Sequence, residues 1–163
     1  MTLGGGHGLG AVLGLRDDLD VDLVLLDYHL PRGDGLQLCY RIKQQVPAPR
    51  VIIFYANASP ELMLPAQLAH ADGLVNKGIA ARELFETIRR VAKGERLIGE
   101  PSAAVLRETL ARVPEEDRAL IGMLLDGSSE NEIARTTRQE LKDVRHAVQR
   151  VLSTLRQSAP VAG

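Results

Sequence analysis

Asp20 to Gly35 reads DVDLVLLDYHLPRGDG, and this run decides the fold. Val21 to Leu26 (VDLVLL) is short and continuously apolar, which predicts a strand buried on both faces rather than a helix. It runs into Asp27. Pro31 and Gly33-Asp34-Gly35 then form a tight turn into a segment of helical spacing, with Leu36, Cys39, Ile42 and Val46 at steps of three and four. Arg50 to Phe54 (RVIIF) predicts a second buried strand and Gly73 to Val75 a third, weaker one. Leu84, Ile88 and Val91 mark a helix ending at Lys93, with Gly94 as its cap. Ser59-Pro60 predicts an N-cap followed by Pro at the first helical position, and Pro65 a kink within that same helix. Apolar strands alternating with amphipathic helices mean a parallel sheet covered on both faces.

In such a sheet the carboxyl ends of the strands form the ligand-binding edge. Asp27 ends one strand, Tyr55-Ala56 ends the next, and Asn76-Lys77 ends the last. A nucleophilic carboxylate would then lie beside a cation able to meet the charge of an incoming phosphoryl group. The run D-Y-H-L-P-R-G-D-G resembles the D-x-x-M/L-P-x-x-D-G of two-component receiver domains, and A-D-G-L-V-N-K resembles their A-x-G-Y-L-x-K. The resemblance extends from Asp20 to Gly94. It implies an incomplete flavodoxin-like α/β receiver lacking its first strands. It further implies Asp27 as phosphoacceptor, Lys77 and Tyr55 as phosphoryl-contacting residues, and Mg²⁺ as the expected cofactor, with Asp27 among its ligands.

Three departures from the family pattern bear on mechanism. The opening strand, helix and second strand of the family have no counterpart, and with them goes the acidic pair that holds Mg²⁺. Asp17 and Asp18 are no replacement, since they lie just before the Asp27 strand. Tyr55 stands where the family has Thr or Ser, which moves the hydroxyl several ångströms outward. Leu74 replaces the aromatic switch residue. The expectation is impaired phosphorylation, an open apolar edge on VDLVLL, and a true start upstream of Met1.

After Gly94 no strand signal appears. Residues 95–113 read as a linker with a short helix near Ala103 to Leu110. Pro114 with Glu115, Glu116 and Asp117 opens a helix with the stripe Leu120, Met123 and Leu124, and Gly127 ends it. Ser129 to Glu132 is a capping box before Ile133. Residues 114–157 resemble the helix-turn-helix of LuxR/FixJ-type, NarL-like regulators through Leu124-Leu125-Asp126-Gly127, Ser129, Glu132-Ile133-Ala134, Val144 and Val151-Leu152. By that resemblance a DNA-recognition helix begins near Leu141 and exposes Lys142, Arg145, His146, Gln149 and Arg150. The family's L-G-L turn is here Thr137-Arg138-Gln139, and the fourth helix has no counterpart. Leu141, Val144, Val148, Val151 and Leu155 also form a heptad-like stripe, so one continuous dimerising helix from Glu130 to Gln157 is the competing reading. Residues 158–163 read as a disordered tail.

Composition narrows the function class. Between Glu95 and Glu132 four arginines face nine acids, whereas Ile133 to Arg156 carries six basic residues against two acidic ones. That local excess fits an anionic partner such as DNA, in a chain whose net charge is only −1. The single cysteine, Cys39, favours a reducing compartment and reads as a small buried hydrophobe. No apolar run approaches the ~18 residues of a membrane span, and the expected location is the cytoplasm. GGGHGLG at the start lacks the preceding strand that a phosphate loop needs, and reads as a flexible end. His7, His29, His70 and His146 show no metal-ligand spacing, and no nucleophile–base set suggests an enzyme. The expected protein is a DNA-binding response regulator, a homodimer served by a sensor kinase. The alternative is a phosphorylation-independent pseudo-receiver acting as an interaction module.

Overall fold

The computed structural model describes residues 2–4, 22–31, 33–56 and 59–158. The glycine-rich stretch from Gly5, the Asp17-Asp18 pair and the tail beyond Ser158 lie outside these residues. In chain order the elements are β1 (Thr2–Gly4), β2 (Leu23–Asp27), β3 (His29–Leu30), β4 (Gly33–Asp34) and α1 (Gly35–Lys43). There follow β5 (Arg50–Tyr55), a 3-10 turn (Pro60–Leu62), α2 (Met63–Leu68), β6 (Gly73–Asn76) and α3 (Ala81–Ala92). The helices α4 (Ala103–Ala111), α5 (Glu115–Leu125), α6 (Glu130–Thr137) and α7 (Leu141–Ser158) complete the elements of the described residues.

The main sheet runs β1-β2-β5-β6, and all three pairings are parallel. Alternation along the strands divides the core. Leu23, Leu25 and Ile52 face Val75 and Val91 on the α3 side, while Val24, Leu26, Val51 and Ile53 face α1 and α2. Asp72, itself buried, pins the sheet's amino-terminal edge. Its carboxylate accepts from Lys43 Nζ at 2.8 Å and from the Val51 N–H at 2.8 Å.

Two expectations are corrected here. VDLVLL is not an open edge, because Thr2, Leu3 and Gly4 pair in parallel with Val24, Leu25 and Leu26. Three residues are too few to show a strand period, yet enough to hydrogen-bond the middle of β2. Nor does Pro65 kink a longer helix. A 3-10 turn precedes α2, and Pro65 falls within the first turn of a helix that begins at Met63. Its missing N–H has no intrahelical partner at that position.

The choice between two helices and one is settled by Arg138. Its φ of +56° places it in the left-handed region, so α6 stops there and Gln139 N–H closes on the Ala134 carbonyl at 2.9 Å. The expected glycine is absent and an arginine bears the strained conformation, worth of order 1 kcal/mol. The capping box at Ser129 and Glu132 forms as read. The competing continuous helix is therefore overturned. Its heptad stripe is also occupied: Val144, Val148, Val151 and Leu155 are buried within the same cluster as Leu36, Leu38 and Leu64. The C-terminal helices pack on the α1 and α2 side of the sheet.

Polar contacts accompany that packing. Glu130, at the start of α6, accepts from the Tyr40 hydroxyl of α1, lies 3.4 Å from His70 Nε2 and 3.3 Å from Arg145 Nε. Burial pushes the Glu130 carboxyl up, but these donors outweigh it and hold it below the ordinary range. Its contribution to stability is thus present above the unfolded-state value near 4.5 and is lost as pH falls through the lower folded-state value. Glu130→Gln should flatten the fall in stability on acidification below that pH, read as urea midpoints across the acid limb. In a separate test, Gly35→Ala should lower stability by about 1–3 kcal/mol in urea unfolding. A Cβ at Gly35 would lie 2.4 Å from the Asp27 carbonyl oxygen and 2.9 Å from Tyr28 Cα, backbone atoms that cannot yield.

Candidate functional site

Register assembles the site. Asp27 pairs with Phe54 across β2 and β5, and Tyr55 pairs with Asn76 across β5 and β6, so the three strands end together at the carboxyl edge. The chain leaves that edge under control. Tyr28 N–H donates to the Phe54 carbonyl at 2.7 Å, and Lys77 N–H to the Tyr55 carbonyl at 2.8 Å. The side chains of Asp27 and Lys77 then meet, with Nζ 2.6 Å from Oδ2. The other carboxylate oxygen accepts from the His29 N–H at 3.0 Å. Both side chains remain partly open to solvent, at 35% and 44%. A carboxylate so placed can be reached by a donor in solution, with an ammonium beside the position of incoming charge.

β3 and β4 form a two-residue antiparallel ladder directly after Asp27, pairing His29 with Asp34. Asp34 caps α1, its Oδ1 accepting from Leu36 N–H at 2.8 Å. Gly35 N–H donates to the Tyr28 carbonyl at 3.1 Å, which fastens the hairpin to the end of β2. Burial pushes the Asp34 carboxyl up, against the Leu36 N–H and the charge of Arg156. Tyr28 is buried, its hydroxyl has no hydrogen-bond partner among the described residues, and burial followed by the charge of Asp34 pushes its phenol up.

The third residue of the expected phosphoryl set is placed differently. Tyr55 ends β5 at the same edge, but its side chain packs against the aliphatic core and makes no hydrogen bond to Asp27 or Lys77 among the described residues. Leu74 likewise packs against that core. Mg²⁺ requires near-octahedral oxygen donors, commonly one or two carboxylates with phosphate oxygens and waters. β1 ends at Gly4 and is followed in sequence by Gly5 and Gly6, none of which carries a carboxylate. Among the described residues no three His, Cys, Asp or Glu side chains cluster to hold a metal. The described donor set does not fit a resident Mg²⁺.

All five residues expected to meet DNA lie on α7, but they are not equivalent. Lys142 is largely exposed, with Nζ 3.1 Å from Glu140, and His146 is exposed. Arg145 is tied to Glu130. Arg150 makes two hydrogen bonds, at 2.6 and 3.0 Å, to the buried carboxylate of Asp117. The Gln149 carbonyl accepts from Gln37 Nε2 of α1 at 2.7 Å. Gln37, Glu130 and Arg156 were not readable as site residues in the sequence, because their contacts to Gln149, His70 and Gly33 span 112, 60 and 123 positions.

Comparison with known proteins agrees with this geometry. Residues 7–89, half of the chain, match the response regulator receiver domain. The DNA-binding transcriptional activator DevR/DosR of Mycobacterium tuberculosis is 32% identical over 144 residues, covering 82% of this chain and 66% of that protein. A LuxR-family two-component response regulator from Aurantimonas, known by its crystal structure, is 27% identical, with a TM-score of 0.53 over 63% of this chain and 71% of that one. Salmonella typhimurium RcsB shares the fold at 20% identity, with a TM-score of 0.52 over 91% of this chain and 76% of that one. The chain spans 66% of DevR/DosR and 44% of another curated relative. No helix among the described residues is long and apolar enough to cross a membrane. With a receiver match over half its length and these relatives beside it, the chain belongs to the response regulator receiver family and is a NarL-like response regulator.

Proposed function

We propose that this chain acts in the cytoplasm as a DNA-binding transcriptional regulator of a two-component pathway, with Asp27 as its phosphoacceptor. The observation that carries the reading is the 2.6 Å approach of Lys77 to Asp27 at the carboxyl edge of the sheet. In the reaction an Asp27 carboxylate oxygen attacks the phosphorus of a phosphohistidine on a sensor kinase. The phosphorus–nitrogen bond breaks, its electron pair remains on the imidazole, and an aspartyl phosphate forms. Lys77 then turns from the carboxylate to the new phosphoryl oxygens. Two features make this a slow acceptor: Tyr55 is committed to the core, and the described residues offer no acidic pair for Mg²⁺.

The output would come from α7 entering a major groove. Lys142, paired with the exposed Glu140, and the exposed His146 can be reached as they stand, while the Arg145 and Arg150 side chains become available when their contacts to Glu130 and Asp117 open, and Gln37 holds Gln149 only through its main-chain carbonyl. A homodimer would place two such helices on a two-fold site. Nothing in the relatives favours the pseudo-receiver alternative.

Two experiments test the reading. Incubation with acetyl phosphate and Mg²⁺ should add one phosphoryl group to the wild type and none to Asp27→Asn, read by intact mass under neutral conditions. Equal masses would end the phosphoacceptor assignment. Separately, Lys142→Ala should weaken DNA binding equally across sequences and reduce the slope of log affinity against log salt by about 1. An unchanged slope would remove Lys142 from the interface.

A further inference from the structure

A cleft opens between the end of α2, the segment 96–100 that follows α3, and the turn joining α5 to α6. Its volume is about 530 Å³, within the range of roughly 300–1,000 Å³ usual for small-molecule sites. One wall is apolar: Leu68 is buried, Ile98 and Leu124 pack partly against the core, and Leu125 is left 37% exposed. The other wall carries donors. Arg96 uses Nη2 on the Ala71 carbonyl at 3.3 Å, and among the described residues it forms no ion pair. The Ser128 N–H is taken by the Met123 carbonyl, and its hydroxyl has no partner among the described residues. His70 joins this wall from a left-handed backbone, φ +61°, at a helix end where glycine is the ordinary residue. Its ring stacks 5.9 Å from that of Tyr40, and its Nε2 lies 3.4 Å from Glu130. Any charge on His70 is thus already answered by a carboxylate, whereas that of Arg96 is not.

We propose that this cleft binds a small monocarboxylate with an apolar body, an aliphatic or aromatic acid held by Arg96 and Ser128. A guanidinium is planar and can take both oxygens of one carboxylate side by side. The Ser128 hydroxyl can donate a further bond to the same head group. The apolar body then displaces water from Leu68, Ile98, Leu124 and Leu125, which is favourable in proportion to the area covered. The surrounding charges limit the head group to one negative charge. Glu100 also lines the cleft, and Glu130 stands beside His70. A phosphate ester or a dicarboxylate would bring its second charge towards these acids, while a monocarboxylate matches the one unpaired guanidinium. A neutral ligand would leave that guanidinium unanswered, and an amine would be repelled by it. The site draws on neither Asp27 nor the basic face of α7, so it stands apart from the proposed phosphoacceptor and DNA contacts.

The test is a titration of the isotopically labelled full chain with naphthoate and with octanoate, followed by amide chemical shifts. Both acids should give saturable shifts concentrated at Leu68, Ile98 and Ser128. Naphthamide, the same ring system without the charge, should bind about tenfold more weakly than naphthoate, and Arg96→Gln should weaken naphthoate by about the same factor. Naphthalene dicarboxylate should bind more weakly than naphthoate, and Glu100→Gln should narrow that gap. Shifts centred elsewhere, equal binding of acid and amide, or no saturable shift from either acid at millimolar concentration would overturn the proposal. Arg96→Gln also removes the bond to the Ala71 carbonyl and could unfold the chain, which far-ultraviolet circular dichroism reports. In that event Leu125→Glu decides, because this side chain is already 37% exposed and its replacement leaves the core intact. It sets a negative charge in the apolar wall and should abolish naphthoate binding; unchanged affinity would overturn the proposal.

Discussion

Parallel register across three strands is the constraint on which everything else depends. Because β2, β5 and β6 stop at the same height, Asp27 and Lys77 meet although fifty residues separate them. The register is itself fixed by burial on both sides. A slip of one residue would swap Val24 and Leu26 with Leu23 and Leu25, and two differently shaped apolar layers would have to repack together. Asp72 reinforces this at the opposite edge by joining α1, β5 and β6 through one buried carboxylate. The Asp27–Lys77 pair stays partly open to solvent while its placement is set by groups that water does not reach.

The described chemistry at the rim is spare. A carboxylate and an ammonium are present, but neither a hydroxyl directed at them nor a second carboxylate accompanies them among the described residues. Phosphoryl transfer relies mainly on charge neutralisation and positioning. The Lys77 ammonium lies where it could supply the former in part, and the close approach of Gly35 fixes the strand end that carries Asp27.

Much of this was legible in the sequence because the informative signals are local. VDLVLL and RVIIF announce buried strands, Gly94 and Gly127 mark helix ends at positive φ, and the Ser129–Glu132 box forms as its spacing demands. β1 was missed because three residues cannot display a period. The break at Arg138 was ambiguous because the residue with positive φ is not a glycine, so only tertiary packing selects it. The Pro65 kink was misjudged because a helix start, unlike a proline, carries no mark when it has no side-chain cap. The site showed the same division. The meeting of Asp27 and Lys77 was legible from motif spacing, whereas the contacts of Gln37, Glu130 and Arg156 depend on pairings that no local pattern encodes.

One consequence follows from the sidedness of α7. Its polar face carries the basic groups, while Val144, Val148, Val151, Leu152 and Leu155 are sealed against the rest of the chain. Wholesale undocking would wet five aliphatic side chains, each costing about 1.5–3 kcal/mol. That is comparable to the entire stability of a small protein. A naked, detached helix is thus not an accessible state: any rearrangement large enough to free it must hand those side chains a new apolar cover in the same step.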